Sequence, residues 1–172
     1  MFTIVIGQSG AGKTTFVKER LLKEPYEVKK DIVAYTECGN GVVALGKYGT
    51  GKRTDGTDTL SYSAKENIKK QLTKFAAEGR DVVMEGDRIN NREVFEHIAK
   101  LGVKVKLYLV RCTLGTSMKR LRAAGSTITP TFVKTTQTKA RNMFEAYRLR
   151  FDGEQIINEL ERTDIPAWKH EE

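Results

Sequence analysis

Phe2-Thr3-Ile4-Val5-Ile6 runs directly into Gly7-Gln8-Ser9-Gly10-Ala11-Gly12-Lys13-Thr14. The first stretch reads as a buried strand, the second spells G-x-x-x-x-G-K-T, and the amphipathic stretch Thr15 to Leu22 behind it reads as a helix. In that order the pattern has a mechanism. Glycines let the backbone curl so that successive N–H groups face a bound anion, and the first turn of the helix adds its positive end. The stretch predicts a cradle for the phosphate tail of a nucleoside triphosphate, built from Gly7, Gln8, Ser9, Gly10, Ala11, Gly12, Lys13, Thr14 and Thr15. Lys13 would reach the β and γ phosphates, and the Thr14 hydroxyl would fill one Mg²⁺ position. The bland alternative is a glycine-rich turn that binds nothing.

Working outward, Pro25 interrupts the helical pattern, and Asp31-Ile32-Val33-Ala34-Tyr35 reads as a second strand. Val42-Val43-Ala44-Leu45 reads as a strand or half of a hairpin, followed by a polar, glycine-rich loop from Gly46 to Asp58. Loops of that length in a compact domain commonly grip a substrate. Ala64 to Glu78 has helical period, with Ser63 and Glu66 spaced as a reciprocal cap and Gly79 as the stop. Asp81-Val82-Val83-Met84-Glu85 reads as a buried strand ending in acids, Arg92 to Leu101 as a helix, and Val103 to Val110 as a strand. Thr116 to Gly125 and Phe132 to Arg150 read as helices flanking a turn at Ser126 to Pro130, whereas Glu154 to Arg162 fits strand and helix equally. The β-α-β-α alternation predicts an α/β fold, a mostly parallel sheet covered on both faces.

The chain has 172 residues, enough for one domain with a substantial core. With 39% hydrophobic and 30% charged residues it has the balance of a globular protein, and no apolar run approaches the ~20 residues of a membrane helix. No membrane partner and no secretory leader are expected. Cys38 and Cys112 are the only cysteines, which suggests neither a disulfide framework nor a zinc site and points to a cytoplasmic setting. The formal net charge is +8, and it is concentrated: between Cys112 and Phe151, Glu145 is the sole acid among eight lysines and arginines. That stretch reads either as a solvated helical face or as a track for a polyanion such as DNA.

Glu85 and Asp87 close the strand Val82-Val83-Met84, where a phosphate-loop protein places an acid beside Mg²⁺ or its waters; Glu85 is the residue assigned to the metal with Thr14. Arg88 next to them would clamp a phosphate or pair with Glu85. Transfer to a hydroxyl calls for a carboxylate near the acceptor, and Asp58 is the first candidate, followed by Glu37 after the second strand and by Asp87. Arg120, and second to it Arg122, would be set by a closing lid against charge that develops during transfer. His97 reads as packing or surface and His170 as solvent-facing. No Asn-Lys-x-Asp guanine reader is present, so a GTPase switch is not indicated.

Together these patterns resemble the phosphate-loop kinase group, and more narrowly the phage-encoded 5-hydroxymethyluracil DNA kinases. The resemblance is carried by Gly7 to Thr14, by Leu45-Gly46-Lys47-Tyr48 with Gly56-Thr57-Asp58-Thr59-Leu60-Ser61, and by Glu85-Gly86-Asp87-Arg88. Lys52-Arg53-Thr54-Asp55, inserted before Gly56, departs from the pattern. The resemblance implies one kinase domain over 1–172, a three-layer sandwich with a helical lid at about 113–135, and ATP and Mg²⁺ as cofactors. It also implies transfer of the γ-phosphoryl group to the hydroxymethyl oxygen of 5-hydroxymethyluracil in DNA, in the cytoplasm of a phage host. Tyr48 or Tyr62 would stack on such a base, and Arg88 and Asp58 would stand on the substrate side. A kinase of a free nucleoside, nucleotide or other small metabolite shares all the phosphate chemistry. A nucleotide-binding protein without transfer activity is the reading from another class.

Overall fold

In the computed structural model, which describes residues 1–50, 55–160 and 166–170, the opening run is the strand at the middle of the parallel core of an eight-stranded sheet. β1 (Phe2–Gly7) lies between β5 (Val82–Glu85) and β6 (Val105–Arg111), parallel to both, with Ile4 opposite Met84 on one side and Leu107 on the other. β4 (Val43–Leu45) and β7 (Asp152–Leu160) extend the parallel core outward. The hairpin of β2 (Tyr26–Lys30) and β3 (Ala34–Cys38) adds antiparallel strands at one edge, and β8 (Pro166–His170) closes the other. The full order is β2-β3-β4-β5-β1-β6-β7-β8.

Side chains of a strand alternate between faces, and β1 uses both. Phe2, Ile4 and Ile6 join a core with α2 (Lys65–Ala77), α3 (Arg92–Lys100) and α5 (Pro130–Tyr147), while Val5 packs with Phe16 and Val17 of α1 (Lys13–Arg20). Helices thus cover both faces, as the alternation of elements predicts. Each such side chain contributes about 1.5–3 kcal/mol by leaving water. Phe95 of α3 anchors the larger core through ring contacts to Tyr147 at 5.0 Å and Phe151 at 5.7 Å, and truncation there would cost about 3–5 kcal/mol.

The expected second strand is displaced. Asp31 to Val33 form a corner, in which Gln71 Oε1 accepts the Ile32 and Val33 N–H groups at 2.9 and 3.2 Å, and the strand begins at Ala34. The apolar pair signals burial, since Val33 enters the core, but burial here comes from a turn under α2. β2 shows no apolar alternation because it is an exposed edge. Ser63 does not cap α2: Ser61 caps a preceding 3₁₀ turn, and α2 begins at Lys65. α4 (Leu114–Ala123) and the first turns of α5 occupy the segment expected to form a lid. The ambiguous segment 154–162 is strand as far as Leu160. Lys52, Arg53 and Thr54 of the insertion, Arg162 and the His170 side chain lie outside what is described. No helix among the described residues is long and apolar enough to cross a membrane.

Candidate active site

Every parallel strand delivers its C-terminal end to one edge of the sheet, and β1 delivers the phosphate loop there. A helix leaves its first four N–H groups without intrahelical partners. In α3, α4 and α5 the side chains of Asn91, Thr113 and Thr129 cap them. α1 has no such cap, and neither has α2, which continues a 3₁₀ turn; in α1 the N-cap is Gly12, at φ +87°, a left-handed conformation that suits glycine and brings no side chain to the donors at the end of the phosphate loop. The positive end of α1 is therefore open to an anion. Lys13 folds back over the loop, donating to the carbonyls of Gly7 at 3.1 Å and Gln8 at 2.9 Å.

The outer side of the loop is tied to its surroundings. Gln8, buried, donates through Nε2 to the Cys112 carbonyl and Ser117 Oγ, each at 2.9 Å. The Ser9 N–H donates to Thr136 Oγ1 of α5 at 3.0 Å. Arg120 donates to the carbonyls of Gly10 and Ala11 at 3.3 Å each and of Asn158 at 3.0 Å, and Asn158 Nδ2 donates to the Ala11 carbonyl at 2.8 Å. Arg120, expected to meet the nucleotide from a lid, thus sits on the carbonyl side of the loop, opposite the amides that would meet phosphate. Arg122 is exposed on the same helix. Thr15 is exposed in the first turn of α1.

Beside the loop, Thr14 Oγ1 donates to Glu85 Oε2 at 3.0 Å, and Tyr48 OH donates to Glu85 Oε1 at 2.6 Å. Glu85 is 2% exposed, and burial pushes its carboxyl up to about 7 against the opposing effects of the Tyr48 hydrogen bond, Lys13 and the Thr14 hydrogen bond. Thr57 Oγ1 accepts the Glu85 N–H at 3.0 Å and donates to the Leu45 carbonyl at 2.8 Å. Gly56, at φ +117°, lies against this pair, and a Cβ there would stand 2.6 Å from Glu85 Oε1. One hydroxyl and one carboxylate are hard oxygen donors, the kind Mg²⁺ takes when phosphates and waters complete its shell. Thr14 and Glu85 fit that ion. Tyr48 is 1% exposed and holds Glu85, so it presents no face to a base; burial and Glu85 raise its hydroxyl well above the usual phenol range.

Asp58 stands next along this edge. Its Oδ1 accepts the Asp87 and Arg88 N–H groups at 2.9 and 3.1 Å, fixing the turn that follows β5, and Gly86 packs against its carboxylate. Arg88 donates through Nε to the Leu60 carbonyl at 2.9 Å and stacks over the Tyr62 ring at 3.4 Å, with Asp58 Oδ1 3.9 Å from its Nη1. Glu85 has Thr14 and Tyr48 as its partners rather than Arg88. Asp87 pairs with Lys139 of α5 at 2.9 Å. Thr14, Glu85, Gly86, Asp58, Arg88 and Tyr62 form one contiguous path from the loop outward.

Glu37 is not on that path. β3 runs antiparallel to β4, which sets Glu37 opposite Val43 and level with the start of β5, at the far edge of the sheet, where it pairs with Arg80 at 2.6 Å. The expectation of an acceptor-side acid there assumed a strand running the other way. His97 meets Thr73 at 2.8 Å between α2 and α3, away from the loop. A groove of about 540 Å³ beside it, lined by Lys69, Arg92, Glu93, Glu96, His97 and Lys100, belongs to that surface and not to the site. Thr136, Asn158 and Lys139 are site residues that no motif marks, and Thr57 was marked only by its place next to Asp58 in the selective Gly56 to Ser61 pattern.

No protein-family model and no curated protein matches this chain. Among solved structures it is similar to a deoxyadenosine kinase from M. mycoides with bound dCTP, at 12% identity and a TM-score of 0.44 over 91% of this chain and 90% of that one. A structure of deoxyadenosine kinase from M. mycoides with bound dATP gives 12% identity and a TM-score of 0.42 over 91% of each chain.

Proposed function

We propose that this chain is an ATP-dependent phosphotransferase that moves the γ-phosphoryl group to an alcohol oxygen of a base-bearing acceptor, a free nucleoside in the simplest form. The observation that carries the reading is the uncapped start of α1, with Lys13 over the loop and the Thr14–Glu85 pair beside it. The loop amides and Lys13 hold the phosphate tail. Thr14 and Glu85 would hold Mg²⁺, which would neutralise charge on the phosphate oxygens. Asp58, fixed by two amides 2.9 and 3.1 Å from Oδ1, orients the acceptor hydroxyl and takes its proton. The acceptor oxygen bonds to the γ phosphorus as the bond from that phosphorus to the β–γ bridging oxygen breaks, leaving ADP. Tyr62, 78% exposed and backed on one face by Arg88, offers its other face to a planar ring.

A second reading has the acceptor as a hydroxymethylated uracil in DNA. It is favoured by a groove of about 460 Å³ along the exposed face of α5, lined by Thr131, Lys134, Thr135, Thr138, Lys139 and Asn142, on a chain of net charge +8. Hydroxyls, amides and lysines in a row suit a phosphodiester backbone. Incubation with γ-labelled ATP and Mg²⁺, offering free nucleosides beside DNA with and without hydroxymethylated uracil, tests both. Label on a nucleoside supports the first, label on modified DNA with steep salt dependence supports the second, and no label anywhere with ATP left intact removes the phosphotransferase reading.

A further inference from the structure

Phosphoryl transfer spreads negative charge over three equatorial oxygens, and an active site stabilises it with cations placed in advance. The loop brings Lys13, but Arg120 is bonded to three carbonyls behind the loop. Another cation stands at the mouth. Thr136 of α5 accepts the Ser9 N–H, which pins one edge of that helix to the phosphate loop. Three residues later, on the same edge and about 4.5 Å along the axis, Lys139 places its ammonium 2.9 Å from Asp87 Oδ1. Asp87 in turn donates its N–H to Asp58 and lies two residues beyond Glu85. One helix edge therefore touches the donor loop through Thr136 and the acid-bearing turn through Lys139.

We propose that Lys139 is a catalytic residue that contacts the transferring phosphoryl group, with Asp87 as its resting partner. The assignment rests on the phosphotransferase reading above. Both side chains of the pair are substantially exposed, at 43% and 40%, and exposed ion pairs hold weakly. A phosphoryl group carrying more than one negative charge outcompetes Asp87 at little cost. A lysine suits this role because its flexible stem lets the point charge move from carboxylate to phosphate. Lys134 and Arg141, exposed on the same helix, have no such tie to the acid-bearing turn.

The test uses the full chain, wild type, Lys139→Met and Lys139→Arg, with MgATP and three kinds of acceptor: water, the free nucleosides and deoxynucleosides, and DNA containing 5-hydroxymethyluracil. Lys139→Met should lower kcat about 10²-fold or more while the KM and Kd for MgATP stay within threefold, and Lys139→Arg should restore kcat to within about tenfold. The melting temperature, read alongside, should not move with the charge. If Lys139 only ties α5 to the turn, Lys139→Met loses melting temperature and MgATP affinity together, and arginine gives no rescue of kcat; that result overturns the assignment. So does a Lys139→Met kcat within threefold of a wild type that turns over. A wild type that turns over MgATP with none of these acceptors instead overturns the phosphotransferase reading on which it depends.

Discussion

The two halves of the site are built differently. On the donor side the phosphate loop is held from behind by the buried Gln8, on Ser117 and the Cys112 carbonyl, and by the half-buried Arg120 and the buried Asn158 on the loop carbonyls. On the acceptor side Asp58, Arg88 and Tyr62 line an open surface, held chiefly by backbone amides of one turn and one ring contact. The buried hydrogen bonds on the donor side restrict the loop's geometry, although Asn158 Oδ1 is buried without a partner, whereas exposed groups leave room to adapt. In the proposed reaction the triphosphate tail would be the same in every turnover, which suits a rigid grip, and the acceptor would enter, react and leave, which suits an open surface.

The sharpest break between the halves is Lys13→Ala. It removes the donor-side cation and leaves the buttress untouched, so transfer should fall on the order of 10³-fold or more, with the melting temperature and acceptor binding unchanged. Steady-state kinetics beside thermal unfolding checks this. Full activity would remove the donor-side assignment.

A second measure separates the halves by pH. Burial raises Glu85 from 4.5 to about 7, so the folded protein binds a proton there more tightly than the unfolded chain. The stability this group adds is fully present below pH 4.5 and is lost as pH rises through about 7. The loss reaches up to about 3 kcal/mol. Urea unfolding of metal-free protein between pH 4.5 and 8 should show that decline, and Glu85→Gln should flatten it. An equal slope in both proteins would mean that Glu85 is not buried as charge in the resting fold. The Asp58 charge adds to the rise at Glu85, so Asp58→Asn should lessen the decline, whereas Tyr62→Ala should leave it unchanged.

The donor half was legible in the sequence because its chemistry is local. Strand, loop and helix are contiguous, and the spacing of Gly7, Gly12, Lys13 and Thr14 states the geometry by itself. Its buttress was not legible, since Asn158 lies 147 residues from Ala11 and Thr136 lies 127 from Ser9, and neither belongs to a pattern. Arg120 was singled out for its charge, but charge does not say which side of a loop it faces. The acceptor half was legible as a set of acids with Arg88 and two tyrosines, but not as an arrangement. Glu37 was misplaced because the exposed β2 strand hid a hairpin that reverses chain direction, and Tyr48, offered with Tyr62 as a stacking ring, is a buried residue whose hydroxyl holds a buried carboxylate.

Asp58→Asn tests the open half. Asparagine keeps an oxygen to accept the Asp87 and Arg88 amides, so the turn persists, but it takes no proton. The kcat for the best acceptor should drop about 10²-fold, with MgATP affinity constant by calorimetry. Unchanged turnover would pass the proton-accepting role to Asp87.

The smallest effect expected is also the one that best tests how open the acceptor side is. Tyr62 projects into solvent, and the Arg88 guanidinium lies over its ring, 3.4 Å from the centroid. Removing the ring exposes no core, so Tyr62→Ala should leave the melting temperature within experimental error. An aromatic ring stacked on the free face is worth roughly 1 kcal/mol, so the KM for a base-bearing acceptor should rise about five- to tenfold while kcat and the KM for MgATP hold. Tyr62→Trp, with a larger ring at the same place, should bind at least as well as the wild type. If Tyr62→Ala instead lowers kcat and leaves acceptor KM alone, the residue acts through Arg88 on the turn that carries Asp58, and the acceptor half is as tightly coupled as the donor half.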